Sequence, residues 1–242
     1  MTAESSTDDD VIVQPAEVVR EYGPFAGGAP VAGVSHDGAR VWFATGARLH
    51  ALDPASGELV GGLDVPCDAG TAFDGRHLFQ IAGGRIHKLD PETGHVLASI
   101  PAPGGAAGLA WAGGVLWVGQ HRDRKIVQID PETGAILATL ETNRYVTGVT
   151  WVDGELWHGT WEDDQSELRR VDPATGEVRE RLAMPTGTMV SGLESDAGDL
   201  LYCGGGPTGK VRAVRRPRRA SRKRKGVYGR AGGGQTCACR RG

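Results

Sequence analysis

Two short stretches collect side chains able to do chemistry: Gln120-His121-Arg122, and Trp161-Glu162-Asp163, with Arg144-Tyr145 between them in the chain. A histidine beside an arginine suits anion binding or proton abstraction. No serine, cysteine or carboxylate neighbours His121 in sequence to complete a nucleophilic triad. Trp161 is an aromatic plate with one polar edge, fit to carry a flat ligand. The Arg and Asp members read first as solvated rim charges, so the cluster is a ligand-binding candidate and no catalytic residue is assigned.

These residues lie on connections between repeats. Four segments align: LDPASGELV from Leu52, LDPETGHVL from Leu89, IDPETGAIL from Ile129 and VDPATGEVR from Val171. Asp53, Asp90, Asp130 and Asp172 are 37, 40 and 42 residues apart. Upstream of each stands an apolar stretch opening on Gly33, Gly70, Gly108 or Gly148, then a tight turn (HDG, FDG, AGG, VDG), then a strand with an aromatic. The unit returns a fifth time around Gly192 and Tyr202. Asp-Gly predicts type I′ hairpins. In D-P-x-[ST]-G, proline presets φ, the carboxylate accepts N–H bonds and glycine takes the left-handed position. Four antiparallel strands about every 40 residues make a propeller blade.

The fold class is therefore all-β, a five-bladed propeller of four-stranded blades. The last blade, about 190–214, lacks its fourth strand, and residues 17–24 are expected to supply it from the other end of the chain. Blades 1–4 span about 30–185. Residues 1–16 are expected to be a disordered acidic segment, 17–214 the propeller and 215–242 a disordered basic tail. Trp42, Trp111, Trp117, Trp151 and Trp157 recur in register with the strands and read as core, whereas Trp161 falls outside that register. The short a–b and c–d turns share one face of such a ring. The other face carries the variable loops, among them GQHRDRK and GTWEDDQSE, and so the candidate site at blades 3 and 4.

Composition limits the rest. Glycine numbers 38 of 242 residues, which fits a turn-rich β protein. No apolar run is long enough to span a bilayer, and the polar, acidic start is unlike an export signal, so a cytoplasmic monomer is expected. Cys67, Cys203, Cys237 and Cys239 show no metal-ligand or disulfide spacing. The repeated Asp residues are too dispersed to cage calcium; no cofactor or metal is expected. The net charge of −3 hides 13 Lys and Arg residues, with no Asp or Glu, from Lys210 to Gly242. That tail could bind nucleic acid non-specifically, or be a frame-shifted end of the reading frame.

Five blades with D-P-E-T-G turns and a strand reading WVDGELWHGTW resemble the glutamine cyclotransferase family, the plant-type glutaminyl-peptide cyclases. The resemblance covers about Glu17 to Val214. It implies a small-molecule or peptide-end ligand, cyclisation of N-terminal glutamine to pyroglutamate, and a pocket role for Trp161. The family's carboxylate in blade 2 and Asn-Glu pair in blade 4 correspond here to Ala69 and to Thr147 with Gly148. Asp68, one residue away, is the nearest carboxylate in blade 2. Two readings follow, a non-catalytic binding propeller and an active glutaminyl-peptide cyclotransferase.

Overall fold

Each repeat folds into one antiparallel sheet because its turns leave four short apolar strands between them. The computed structural model describes residues 11–25 and 27–217, and every regular element among them is a strand. Two short strands come first, β1 (Val13–Pro15) and β2 (Val18–Tyr22). Blade 1 follows as β3 (Val34–His36), β4 (Val41–Ala44), β5 (Leu49–Leu52) and β6 (Leu59–Leu63). Blade 2 is β7 (Thr71–Phe73), β8 (Leu78–Ala82), β9 (Arg85–Leu89) and β10 (Val96–Pro101). Blade 3 comprises β11 (Ala106–Ala112), β12 (Val115–Gln120), β13 (Lys125–Ile129) and β14 (Ile136–Glu141). Blade 4 comprises β15 (Val146–Val152), β16 (Glu155–Thr160), β17 (Glu167–Val171) and β18 (Val178–Ala183). Blade 5 takes β19 (Gly192–Ser195), β20 (Leu200–Gly204) and β21 (Val211–Arg215) from the end of the chain and β2 from its start.

Closure is made by hydrogen bonds and by packing. β2 pairs antiparallel with β21, setting Tyr22 opposite Val211 and Glu21 opposite Arg212. Arg20 and Tyr22 then reach the Asp–Pro turn of blade 1: Arg20 donates to the carbonyls of Pro54, Ala55 and Ser56, and the Tyr22 hydroxyl donates to Pro54 at 2.9 Å. The core is divided into five clusters, one between each pair of successive blades. Tyr22 and Tyr202 of the last blade pack with Phe43 and Val34 of the first.

At the axis the blades meet through glycine. A Cβ on Gly70 would stand 2.6 Å from the nitrogen of Leu109, one on Gly108 2.7 Å from the carbonyl of Thr147, and one on Gly192 2.6 Å from the carbonyl of Ala32. Gly33 against Ala69 and Gly148 against Leu193 are closer still. The innermost strands therefore touch backbone to backbone all the way round, which no residue with a Cβ permits.

Three expectations are corrected. Residues 11–16 are not unstructured: β1 lies parallel along β18 as a fifth strand on blade 4, with Val13 opposite Arg181. It satisfies part of an edge that would otherwise be bare. Arg215 and Arg216 belong to the ring and not to the tail. Arg215 closes β21 opposite Leu200, and Arg216 donates to Gly198, Asp153 and, through its backbone, Asp199. Residues 1–10 and 218–242, including the basic run and Cys237 and Cys239, lie outside the described residues. Finally, type I′ turns occur at Gly113-Gly114 and Asp153-Gly154, where both central residues have positive φ. At Asp37-Gly38 and Asp74-Gly75 only the glycine does. There the aspartate sits one place earlier and caps the turn, its carboxylate accepting N–H bonds from residues 39 and 40, or 76 and 77. The Asp–Pro turns follow expectation, with each carboxylate accepting the N–H two residues on and Gly57, Gly94, Gly134 and Gly176 left-handed.

Of the tryptophans expected in the core, Trp42, Trp117 and Trp157 are buried. Trp111 and Trp151 are partly buried, stacked on Phe79 and Trp117.

Candidate functional site

The loop after β16 is built as a two-residue turn: Glu162 and Gln165 exchange backbone hydrogen bonds at 2.9 Å, leaving Asp163 and Asp164 at φ 52° and 56°. Two successive left-handed residues other than glycine are costly, and aspartate is among the types that tolerate them. The turn aims Glu162 back at the segment between blades 3 and 4. Its Oε2 accepts from Arg144 Nη1 at 2.7 Å and its Oε1 from the Tyr145 N–H at 3.0 Å. Arg124, from the loop after β12, approaches Oε1 at 3.3 Å. One carboxylate thus ties together three connections.

Burial opposes the charge on Glu162, but the Arg144 and Tyr145 hydrogen bonds and both guanidiniums outweigh it and hold the carboxyl below its usual range. Its hydrogen bond to Glu162 in turn holds Arg144 charged.

Tyr145 is flanked on two sides. The His121 ring lies 4.9 Å away, tilted by 30°, and the Arg124 guanidinium lies over the tyrosine ring at 4.7 Å. Partial burial, helped by the charge of exposed Arg122, disfavours the imidazolium of His121. His121 is therefore a neutral imidazole at neutral pH, able to accept a proton or stack.

A cavity of about 190 Å³ opens beside this arrangement, lined by Arg144, Thr160, Glu162, Asp163, Gln165 and Glu167. Its back wall is a charged layer within blade 4. Glu167 accepts from Arg169 Nε at 2.7 Å and from Arg181 Nη2 at 2.6 Å, and Arg169 also donates to Asn143 at 2.7 Å. Arg169 is only 2% exposed. His158 faces it across the strand pair, is equally buried, and has no partner for Nε2. Burial, with Arg169 beside it, pushes His158 down to about 4. Burial also works against the Glu167 carboxylate, but its two arginines keep it below the usual range.

The structure thus brings His121, Arg144, Tyr145, Glu162 and Asp163 together. Gln120 is nearby but occupied, donating to the Gly104 carbonyl at 2.6 Å. Trp161 is partly buried between Thr160 and Glu162 and makes no ring contact among the described residues. Asp68 stands apart in blade 2, where it accepts the Gly83 N–H at 3.1 Å. Sequence reasoning missed Arg124, Thr160, Gln165, Glu167, Arg169 and Arg181. A signal existed. The residue that opens the third strand or immediately precedes it is basic in blades 1–3 and 5 (Arg48, Arg85, Lys125, Lys210) and acidic only in blade 4, at Glu167. Among the described residues no group of three His, Cys, Asp or Glu side chains is placed to hold a metal ion.

A family model described as outer membrane protein assembly factor BamB matches residues 45–201. No curated protein matches the chain. Among solved structures, the glutaminyl cyclase of Myxococcus xanthus superposes with a TM-score of 0.71 at 17% identity, over 85% of this chain and 98% of that one. A chain of the mitotic checkpoint complex gives 0.50 at 16% identity over 78% of both chains. Hydrazine synthase of Kuenenia stuttgartiensis gives 0.48 at 16% identity, over 72% and 55%. The resemblance read from the repeats is borne out as a glutamine cyclotransferase-like propeller fold.

Proposed function

The chain belongs to the family described as outer membrane protein assembly factor BamB, and from that premise we propose that it is a binding propeller whose ligand, a small molecule or a peptide end, enters the cavity at blades 3 and 4. The carrying observation is Glu162, whose bonds to Arg144 and to the Tyr145 N–H, with its ion pair to Arg124, pre-assemble three connections beside the cavity. A rigid scaffold that presents ordered polar groups on its loops spends little entropy on binding. The lining includes the Arg144 guanidinium and the carboxylates of Glu162, Asp163 and Glu167, so a ligand with both a donor and an acceptor group is matched best.

A second reading is an active glutaminyl-peptide cyclotransferase. The fold shared with a glutaminyl cyclase favours it. Cyclisation needs a proton acceptor in reach of the reacting amine, and His121, kept in its basic form beside Tyr145, is the group available.

One experiment separates the two. Purified protein is screened by thermal shift against Gln-peptides, pyroglutamyl peptides and a metabolite panel, with Trp161→Ala and Glu162→Gln as controls; a ligand selective for the native state raises the melting temperature. Gln-peptides are then assayed for pyroglutamate. A shift that both variants abolish, without turnover, supports the binding propeller. Turnover replaces it with the cyclotransferase. No shift with any compound defeats both readings.

A further inference from the structure

Blade 4 is the only blade, among the described residues, with a fifth strand on its outer edge. The outermost strands of blades 1–4 open on equivalent residues. Leu59, Val96, Ile136 and Val178 each pair with the last residue of the preceding strand, just before a bulge. The first three are exposed, by 44%, 46% and 57%, whereas Val178 is only 5% exposed. Residue type does not explain the difference, since Val96 and Val178 are both valine. The N-terminal segment does. Val11 packs against the cluster that contains Val178, and β1 runs on from there beside Arg181–Ala183.

The bare edges also lack charge. β6 (LVGGL) and β10 (VLASIP) carry no charged residue, and β14 (ILATLE) carries only its last, Glu141. By contrast β18 (VRERLA) has Arg179, Glu180 and Arg181, and β2 (VVREY) has Arg20 and Glu21. Charged side chains are the ordinary guard of an exposed edge, because an incoming strand must desolvate them. The bulge residue follows the same division: Val60, Leu97 and Leu137, about half exposed, stand where blade 4 has Arg179. Among the three unguarded edges β14 is the most regular template. β6 is weakened by Gly61 and Gly62, and β10 ends at Pro101, which has no N–H to donate. β14 runs from Ile136 to Glu141 with neither residue type.

We propose that the outer edge of blade 3, along β14, docks an extended, uncharged aliphatic segment of a partner protein, added as a parallel strand in the way β1 is added to β18. β1 shows what such an edge accepts. It is a single strand with no sheet behind it, so the seat it occupies suits a segment of chain and not another blade. Its attachment is made by the backbone: the Ala16 N–H donates to the Ala183 carbonyl at 2.8 Å, while all three side chains of β1 stay exposed. Strand addition takes its affinity from main-chain hydrogen bonds and its selectivity from the side chains beside them. At β14 the selective element is the exposed pair Ile136 and Leu137. That pair favours an aliphatic residue at the start of the segment, the place Val11 takes at blade 4. A charge there would lose water against an apolar surface with no partner to meet it.

The test titrates the whole, isotopically labelled chain by NMR with a synthetic peptide of the sequence of residues 9–17, which contains β1 and carries a nitroxide at its C-terminus. Docking requires saturable shifts at the β14 amides, Ile136 to Glu141, with β18 unchanged. Parallel addition requires Glu141 to broaden more than Ile136. A peptide with Val11→Asp and Val13→Asp must leave β14 unmoved. Ile136→Lys should weaken binding by about fivefold or more. Both Ile136 and Leu137 are more than half exposed, and Leu137→Lys serves should the first variant not fold. No saturable change at β14, changes at β18 alone through exchange with β1, broadening in the reverse order, or equal binding by the variant overturns the proposal. So does self-association of the whole chain that Ile136→Lys abolishes, which would give the edge to a second copy.

Discussion

Gly192 of the last blade and Ala32 of the segment leading into the first are in backbone contact: a Cβ on the glycine would lie 2.6 Å from the Ala32 carbonyl oxygen. The ring thus closes at its axis through the same kind of backbone contact that joins the internal pairs of blades. Gly192→Ala has no flexible side chain to push aside and must displace strand backbone. It should cost about 1–3 kcal/mol, the usual range for overpacking, measured by urea denaturation. A loss below about 0.5 kcal/mol, the level of neutral surface changes, would mean that the inner strands are not in contact.

The outer end of the closure makes a separate prediction. Deleting residues 1–24 removes β2, the buried Tyr22 and the Arg20 bonds to the blade 1 turn. Deleting residues 1–16 removes β1, a strand exposed along its length, with only the partly buried Val11 and Ala16 packed beside it. The longer deletion should lower the melting temperature by more than about 10 °C, since truncating one buried aromatic already costs about 3–5 kcal/mol. The shorter one should cost no more than a few degrees. Equal shifts in calorimetry would place the closure elsewhere.

The blades were legible because their determinants are local and repeated. Asp53, Asp90, Asp130 and Asp172 each fold their own turn with their own carboxylate, and β2 was recognisable by its likeness to β18. β1 was not, because three residues, Val13–Pro15, carry no period, and parallel pairing with Arg181–Ala183 depends only on where the chain happens to pass. The site was half legible. Loop length marked out His121, Tyr145 and Glu162, whereas Glu167, Arg169 and Arg181 sit inside β17 and β18, where only the acidic Glu167 departs from the repeat. Their charges are tolerable there only because they satisfy one another, a condition of three-dimensional pairing.

Glu162→Gln keeps a side-chain oxygen for the Tyr145 N–H but removes the charge that holds Arg144 and Arg124. Hydrogen bonds to charged groups contribute about 1.5–3 kcal/mol, and half-exposed guanidiniums reduce that, so a stability loss near 1 kcal/mol is expected. The larger effect should be on function, with a ligand-induced thermal shift reduced by at least half because Tyr145 and Arg144 are no longer fixed. An undiminished shift would show that the ligand binds without this junction.

His158 gives the acid limb of stability its shape. It is held neutral, with a native value of about 4 against 6.5 in the unfolded chain. The unfolded state therefore binds the extra proton between those values, and stability is lost as pH falls from 6.5 towards 4. The charge that would form faces Arg169, and Nε2 has no acceptor waiting for it. Glu162 and Glu167 add their own losses lower down, below 4.5, where their ion pairs are protonated apart. The two windows can be told apart with His158→Gln, which fills similar space and cannot ionise. Relative to wild type its melting temperature should rise as pH falls from 6.5 towards 4, and run parallel to it below. The difference between wild type and variant isolates the histidine. A constant difference across pH 4–7 would mean that His158 is protonated, or solvated, in the native ring.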